Sequence, residues 1–177
     1  MTKYEIINLS IKALTFLVVL AGVVLTVRQL RLNTKIFRDE HDWKRRNAAT
    51  EIVQQVNECP HNVRLNNEFE LSNNYTPLDL DVVDSKIKLD LTLQNSIHKV
   101  LNDYEGFAVG INQGLYDEDV IKNLREYAMT RVYANFKNYI ERRRQTHTPE
   151  AWNDYENLVN KWNEPKMRSK KRMRTGI

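Results

Sequence analysis

The sequence has few of the residues from which metal and redox sites are built. Among its 177 residues are one cysteine, Cys59, and four histidines. A single cysteine excludes a disulfide scaffold within the chain and suits a reducing compartment. Glu40-His41-Asp42 contains a His-Asp pair of the kind found in metal phosphohydrolases, but it lies on a basic helical stretch, and Cys59-Pro60-His61 lacks a second pair at zinc spacing. The sequence therefore predicts no metal site.

Glycine is also scarce, with five residues in the whole chain. The sequence shows no glycine-rich phosphate loop, no nucleophile elbow and no His-Glu helix motif. We therefore expect no cofactor and assign no catalytic residue. This pattern favours a binding protein over an enzyme.

An excess of positive charge is missing from the part of the chain that should fold. Residues 47–164 carry twelve basic and nineteen acidic residues, whereas residues 165–177 carry six basic residues and no acidic one. A nucleic-acid-binding domain would show positive charge on its folded part, so nucleic acid is not the expected partner. The basic residues near the two ends are expected to face anionic lipid headgroups, with a solvated tail as the alternative. They are Arg28, Arg31, Lys35, Lys166, Arg168, Lys170, Lys171, Arg172 and Arg174.

The most prominent feature that is present is a long apolar run. Residues 9–27 read "LSIKALTFLVVLAGVVLTV", and Lys12 is their only charge. Because about 20 apolar residues cross a bilayer as a helix, residues 1–27 are predicted to be a transmembrane anchor that spans the lipid bilayer once. A cleaved signal peptide is disfavoured because no small-residue cleavage site follows, and a buried core helix is the other alternative.

The flanking charges predict an orientation. Residues 28–46 contain seven basic and three acidic residues. Since positive flanks stay on the cytoplasmic side, we expect a single-pass protein of the inner (cytoplasmic) membrane, with the N-terminus outside and the C-terminal domain cytoplasmic.

Beyond the anchor, the sequence predicts a mainly α-helical protein. The expected parts are a juxtamembrane stalk helix at 28–58, an asparagine-rich irregular segment at 59–92, a helical domain at 93–164 and a disordered basic tail at 165–177. The thin apolar stripe of the stalk suggests a coiled coil that forms a homo-oligomer. Near residues 78–93, alternating apolar residues indicate a short β-hairpin, although Thr76-Pro77 could instead start a helix.

Caps divide the predicted helical domain into a small cytosolic bundle with about three helices beyond the stalk. The first helix carries an apolar stripe from Leu93 to Ile111, and Gly114 follows at the position of a left-handed cap. Asp117 is placed to cap the second helix, which should extend to about Arg143. Thr148-Pro149 marks the start of the third helix.

Polar residues on the predicted apolar faces suggest a site. Arg131 and Asn135 fall on the buried face of the second helix, and an antiparallel register places Glu105 opposite Arg125. A charge directed at a core needs a partner. We therefore predict one polar network comprising His98, Asn102, Glu105, Arg125, Arg131 and Asn135. It could be a structural ion pair that fixes helix register or a pocket for a ligand or partner.

Several segments resemble a known family, above all "DWKRRNAATEIV" (42–53) and "VLNDYEGFAVGINQGLYDED" (100–119). They are similar to a family of small bacterial and phage proteins, known only as a domain of unknown function. Its members commonly carry one N-terminal transmembrane helix before a helical cytosolic domain. The resemblance implies the anchor-plus-helices architecture and a prokaryotic setting, and it implies no activity.

Together these features predict a membrane-anchored cytosolic interaction module that acts through protein partners or through self-association. The resemblance suggests phage infection or membrane stress as its setting. The alternative is a membrane-tethered enzyme or ligand sensor that uses Glu105 and Arg131.

Overall fold

The computed structural model describes residues 3–57, 59–71 and 75–164, apart from the side chains of residues 3–11, 13 and 14. Within these ranges the chain is mainly α-helical, as predicted, and contains no strand. The six helices are α1 Lys3–Asn57, α2 Pro60–Phe69, α3 Leu80–Leu89, α4 Leu91–Asn112, α5 Glu118–Thr146 and α6 Asn153–Asn163. The chain divides into two compact units, Met1–Lys44 and Arg45–Ile177.

The first unit contains the apolar part of α1. From Phe16 to Leu25 the large apolar side chains are between 50% and 66% exposed, and they point to all sides of the helix. An 18-residue window of this helix has a mean hydropathy of 1.7, and none of it is buried. By length and composition, α1 is able to cross a membrane.

The second unit is built around α4. This helix packs most extensively on α6 and α2 and also contacts α3 and α5. The predicted stripe from Leu93 to Ile111 is buried, with Ile97, Val100 and Leu101 fully inaccessible to solvent. The last turns of α1 complete this core through Ala49, Val53 and Val56. Spacings of three and four residues on α4 are what put one continuous apolar face inside.

The corner between α4 and α5 follows the predicted caps. Gly114 has a φ of +71°, and the Asp117 side chain accepts a hydrogen bond from the backbone N–H of Val120 at 3.1 Å. Gly110 is also required here, because a Cβ atom at this position would lie 2.2 Å from the ring of Tyr116. The end of α1 contacts the same corner, where Arg46 pairs with Asp117 at 3.3 Å.

The predicted β-hairpin near residues 78–93 is wrong. Residues Leu80–Leu89 form α3, and the side chain of Asp79 caps it by accepting a hydrogen bond from Asp81 N at 3.0 Å. The helical spacing of Val83 and Ile87 brings both against the core, whereas Val82 and Leu89 are exposed. The core-facing i,i+4 pair of Val83 and Ile87 thus favours a helix over the strand that the alternating apolar residues predicted.

The irregular segment predicted between the stalk and the bundle also contains a helix, α2. Pro60 occupies its first turn, and Leu65 and Phe69 supply the buried i,i+4 pair. The side-chain amide of Asn62 donates to the carbonyl oxygen of Val56 at 3.1 Å, which ties α2 to the last turn of α1. At the other end of the domain, Thr148-Pro149 precedes turns, and α6 begins later than predicted, at Asn153.

Candidate functional site

The structure does not bring the six predicted polar residues into one network. His98, Asn102 and Glu105 line a groove of about 370 Å³, whereas Arg125 and Arg131 line a separate cavity of about 80 Å³. Glu105 accepts its hydrogen bonds from the backbone N–H groups of Asp154 and Tyr155, whereas Arg131 donates to Asn66. The reason is the rotation of α5, which leaves Leu124 and Tyr127 exposed and buries Ile121, Met129 and Tyr133 instead.

Asn135 belongs to neither place. It is 1% exposed, its side-chain amide donates to the carbonyl oxygen of Arg131 at 2.8 Å, and its backbone carbonyl accepts from Leu78 N at 2.8 Å. Asn138 also donates to the Leu78 carbonyl, at 3.0 Å. Asn135 therefore ties the segment before α3 to α5.

Glu105 caps α6 from a neighbouring helix. Its Oε2 atom accepts a hydrogen bond from Tyr155 N at 2.7 Å, and Oε1 accepts from Asp154 N at 3.3 Å. Trp152, at the N-cap position, has a φ of +58° and offers no side-chain cap. Burial raises the pKa of Glu105, against the two backbone N–H groups that lower it. The glutamate at the edge of the core thus replaces the missing cap of α6.

The other predicted residues of this groove hold Trp152. The indole Nε1 donates to Asn102 Oδ1 at 2.8 Å, and the His98 ring lies 5.8 Å from the indole, centroid to centroid. His98 Nε2 shares a hydrogen bond of 2.8 Å with the hydroxyl of Tyr139. Burial, helped by the charge of Arg143, lowers the pKa of His98, so its imidazole is neutral at pH 7. These polar contacts fix the turn before α6, and sequence reasoning did not include Trp152 or Tyr139 among them.

The second cavity, which we term the arginine cavity, lies between α2, α4 and α5. It is lined by Asn62, Leu65, Asn66, Leu71, Tyr104, Arg125, Ala128, Arg131 and Val132. Arg131 Nη2 donates to Asn66 Oδ1 at 3.1 Å, and its guanidinium lies 5.1 Å from the centre of the Tyr127 ring. The hydroxyl of Tyr104 donates to Asn62 Oδ1 at 3.4 Å. Burial raises the pKa of Tyr104, although the two arginines act to lower it.

Three guanidinium nitrogens at this cavity are buried without a hydrogen-bond partner among the described residues. They are Nε and Nη2 of Arg125 and Nε of Arg131. The two arginines were predicted from the sequence as members of a site, because they lie near the apolar face of a helix. Asn62, Asn66 and Tyr104 were missed, since they approach only when α2 packs on α4.

Comparison with known proteins places the chain in a family. The model of DUF4760, a domain of unknown function, matches residues 16–162. The chain belongs to this family. The result confirms the resemblance seen in the sequence and assigns no activity. Searches of curated proteins and of solved structures gave no significant match.

The DUF4760 match includes both the apolar part of α1 and the helical domain, from residue 16 to the last turn of α6. Within the described residues no group of three or more His, Cys, Asp or Glu side chains is placed to hold a metal ion. Arg28, Arg31 and Lys35 are exposed on α1, whereas the basic residues predicted between Lys166 and Arg174 lie outside the described residues.

A third groove on the domain was not predicted from the sequence. It has a volume of about 680 Å³ and lies between α5, α6 and the segment before α3. Tyr75 and Tyr127 on its wall are 47% and 52% exposed, and their rings meet edge to face with centroids 6.1 Å apart. Tyrosine is enriched at protein–protein interfaces because it combines a large apolar ring with a polar hydroxyl. We term this surface the tyrosine groove.

Proposed function

We propose that the chain is a single-pass membrane protein whose helical domain works by binding and not by catalysis. The exposed apolar part of α1 carries the proposal. Leaving a large apolar side chain in water costs about 1.5–3 kcal/mol relative to burial, and eight such side chains between Phe16 and Leu25 are at least half exposed. A helix that is apolar on all sides needs an apolar environment on all sides, as a bilayer provides.

The proposed orientation rests on the charges that follow this segment. Arg28, Arg31 and Lys35 are exposed within the first turns after Val27. Near an anionic membrane surface each basic residue contributes about 1 kcal/mol to attraction. We propose that they contact lipid headgroups on the cytoplasmic side of the inner membrane, so that the domain is cytoplasmic and the N-terminus lies outside.

The binding role is proposed from two exposed surfaces. On the stalk, Leu30, Phe37 and Trp43 are 60%, 70% and 64% exposed among mostly polar neighbours, which supports self-association. On the domain, the tyrosine groove offers aromatic side chains of the kind that dominate protein interfaces. A ligand sensor is the second candidate function, because the arginine cavity carries buried donors without a partner among the described residues.

The anchor is tested by fractionation and its orientation by labelling. Val19→Arg together with Val23→Arg should release the chain from carbonate-washed membranes, because each charge is costly at the bilayer centre. Thr34→Arg with Thr50→Arg, which adds the same charge outside the apolar part, should leave it bound. In a Cys59→Ser background, a membrane-impermeant maleimide should label a T2C variant of intact cells but not a T175C variant.

Self-association is tested separately by crosslinking the full chain in membranes and in detergent. We expect a crosslinked dimer or larger species that decreases with Phe37→Glu and Trp43→Glu and persists with the control Gln29→Glu. A chain that is monomeric in both environments would exclude the homo-oligomer and leave binding to other proteins. Affinity purification of the tagged chain from its own membranes, with Tyr127→Ala as the comparison, then tests the tyrosine groove.

A further inference from the structure

We propose that the arginine cavity is a binding site for a small oxyanion with the chemistry of phosphate or sulfate. Arginines of the same domain differ in whether they have an acidic partner. Four of them pair with a carboxylate: Arg46 with Asp117, Arg64 with Asp90, Arg142 with Asp84 and Arg144 with Glu156. Arg125 and Arg131 have no such partner among the described residues, although Nε and Nη2 of Arg125 and Nε of Arg131 are buried.

The wall of the cavity supplies no counter-charge. Its polar groups besides the arginines are two asparagines and one tyrosine, and the rest of the lining is aliphatic. Arg131 uses one nitrogen on Asn66, which leaves its buried Nε without a partner among the described residues. A buried charge without an opposite charge or a full set of hydrogen bonds is strongly unfavourable. An anion in the cavity removes both deficits at once.

The geometry of the donors suits an oxyanion in particular. Nε and Nη2 of Arg125 lie on one edge of the planar guanidinium, and this edge forms two parallel hydrogen bonds to the oxygens of a phosphate, sulfate or carboxylate group. Arg131 Nε provides a third donor from the same helix, α5. Three N–H groups from two cations of one helix thus lack an acceptor, and an acceptor-rich group is what they can bind.

The size of the cavity limits the ligand. Its volume is about 80 Å³, whereas one buried water needs about 10–15 Å³ of such a cavity. The cavity therefore holds one tetrahedral oxyanion, or the terminal phosphate of a larger molecule, and not a nucleoside. The same chemistry could come from a free ion or from a lipid phosphate, and the inference does not depend on the membrane anchor.

The test uses the full chain in nanodiscs of zwitterionic phosphatidylcholine. Thermal unfolding is followed by circular dichroism as phosphate or sulfate replaces chloride at constant ionic strength. A ligand that binds only the folded chain raises the midpoint in a saturable way, and we expect this for wild type. Arg125→Gln and Arg131→Gln should abolish the rise, whereas Arg143→Gln, an arginine of the same helix outside the cavity, should retain it.

Titration calorimetry with inorganic phosphate gives a second measure. Losing one bidentate arginine contact should weaken binding at least about tenfold. Arg125→Lys keeps the charge but not the edge that forms two parallel hydrogen bonds. It should therefore fold and still bind more weakly, which protects the test against a variant that fails to fold.

Nanodiscs that contain phosphatidic acid, in phosphate-free buffer, identify the source of the ligand. An Arg125-dependent rise of the unfolding midpoint there assigns the site to a lipid phosphate, and a rise only with the free ion assigns it to a soluble anion.

Two results would overturn the proposal. One is the absence of any saturable rise with phosphate, sulfate and phosphatidic acid, or a rise that survives both Arg125→Gln and Arg131→Gln. The other concerns Glu58, which lies outside the described residues and precedes α2 in sequence. If only the Glu58→Gln chain responds to phosphate, the acceptor is a carboxylate of the chain itself.

Discussion

Substitution of Glu105 tests whether one carboxylate on α4 caps the beginning of α6. Glu105→Ala removes the acceptor of two backbone N–H groups, those of Asp154 and Tyr155. Removing an N-cap acceptor costs about 0.5–2 kcal/mol, typically about 1. Because the groove is open and Glu105 is only half-buried, water partly replaces the lost acceptor. We therefore expect the free energy of unfolding to fall by about 1 kcal/mol.

Glu105→Gln separates the acceptor from the charge. The glutamine oxygen still accepts from Tyr155 N, the shorter of the two bonds at 2.7 Å, while the weaker bond at 3.3 Å is lost. In return, the substitution removes a charge that burial disfavours. These effects oppose each other, so we expect a change within about 0.5 kcal/mol.

The assay is urea unfolding of the full chain in detergent, followed by circular dichroism. Glu150→Ala is the matched control, because Glu150 lines the same groove and its side chain is not among the groups that cap α6. Equal losses for alanine and glutamine would show that the charge and not the acceptor matters. No loss with alanine would refute the cap itself.

The same variants give a pH dependence of known sign. Burial raises the folded-state pKa of Glu105 above its ordinary value of 4.5, so the folded chain holds this proton more tightly than the unfolded chain. Wild type therefore loses stability relative to Glu105→Gln as the pH rises from 4.5 through the folded-state pKa, and the difference is constant above it. Unfolding curves of the two chains, taken at a series of pH values from below 4.5 upward, measure it. A difference that grows in favour of wild type with rising pH would contradict the assignment.

Two further predictions concern the corner after α4 and the ion pair between α3 and α5. Gly110→Ala should lower the free energy of unfolding by about 1–3 kcal/mol, because the new Cβ would lie 2.2 Å from the Tyr116 ring. Gly106→Ala, on the same helix with no atom within 4 Å of the new Cβ, should raise it by about 0.5–1 kcal/mol, and thermal unfolding of both variants compares them. Asp84→Asn removes the charge and one of the two acceptor oxygens, each 2.6 Å from Arg142, and should cost at most about 1 kcal/mol at pH 7, since the pair is part-exposed. The hydrogen bond from Arg142 lowers the pKa of Asp84, so this loss should disappear as the pH falls through that lowered value; a loss that persists in acid would exclude the ion pair as its cause.

Helices with strong local signals could be predicted from the sequence. α4 was predicted because its apolar residues recur at three and four, and the corner was predicted because Gly114 and Asp117 act within their own turn. α2 and α3 were missed because their local signals are weak. Each is ten residues long, and a helix this short depends on packing its few apolar residues against the core.

The candidate site was predicted only in part. That Glu105, Arg125 and Arg131 would need partners follows from placing charges beside apolar faces. Which partners they meet depends on which face of α5 is buried and on how α2 and α6 pack against the bundle. Neither can be predicted from residues close together in the sequence. The structure therefore joins Glu105 to the backbone of Asp154 and Tyr155 and not to Arg125, the partner inferred from an antiparallel register.

By itself, the sequence determined the apolar segment, the helical class and the caps around residue 114, because these depend on composition and on residues within a few turns of each other. Only the tertiary structure decided that Glu105 caps α6 and that Arg125 and Arg131 face a cavity without a carboxylate. The physical reason is distance along the chain. Glu105 and Tyr155 are 50 residues apart, and Arg131 and Asn66 are 65 apart, so their contacts exist only after the helices have packed.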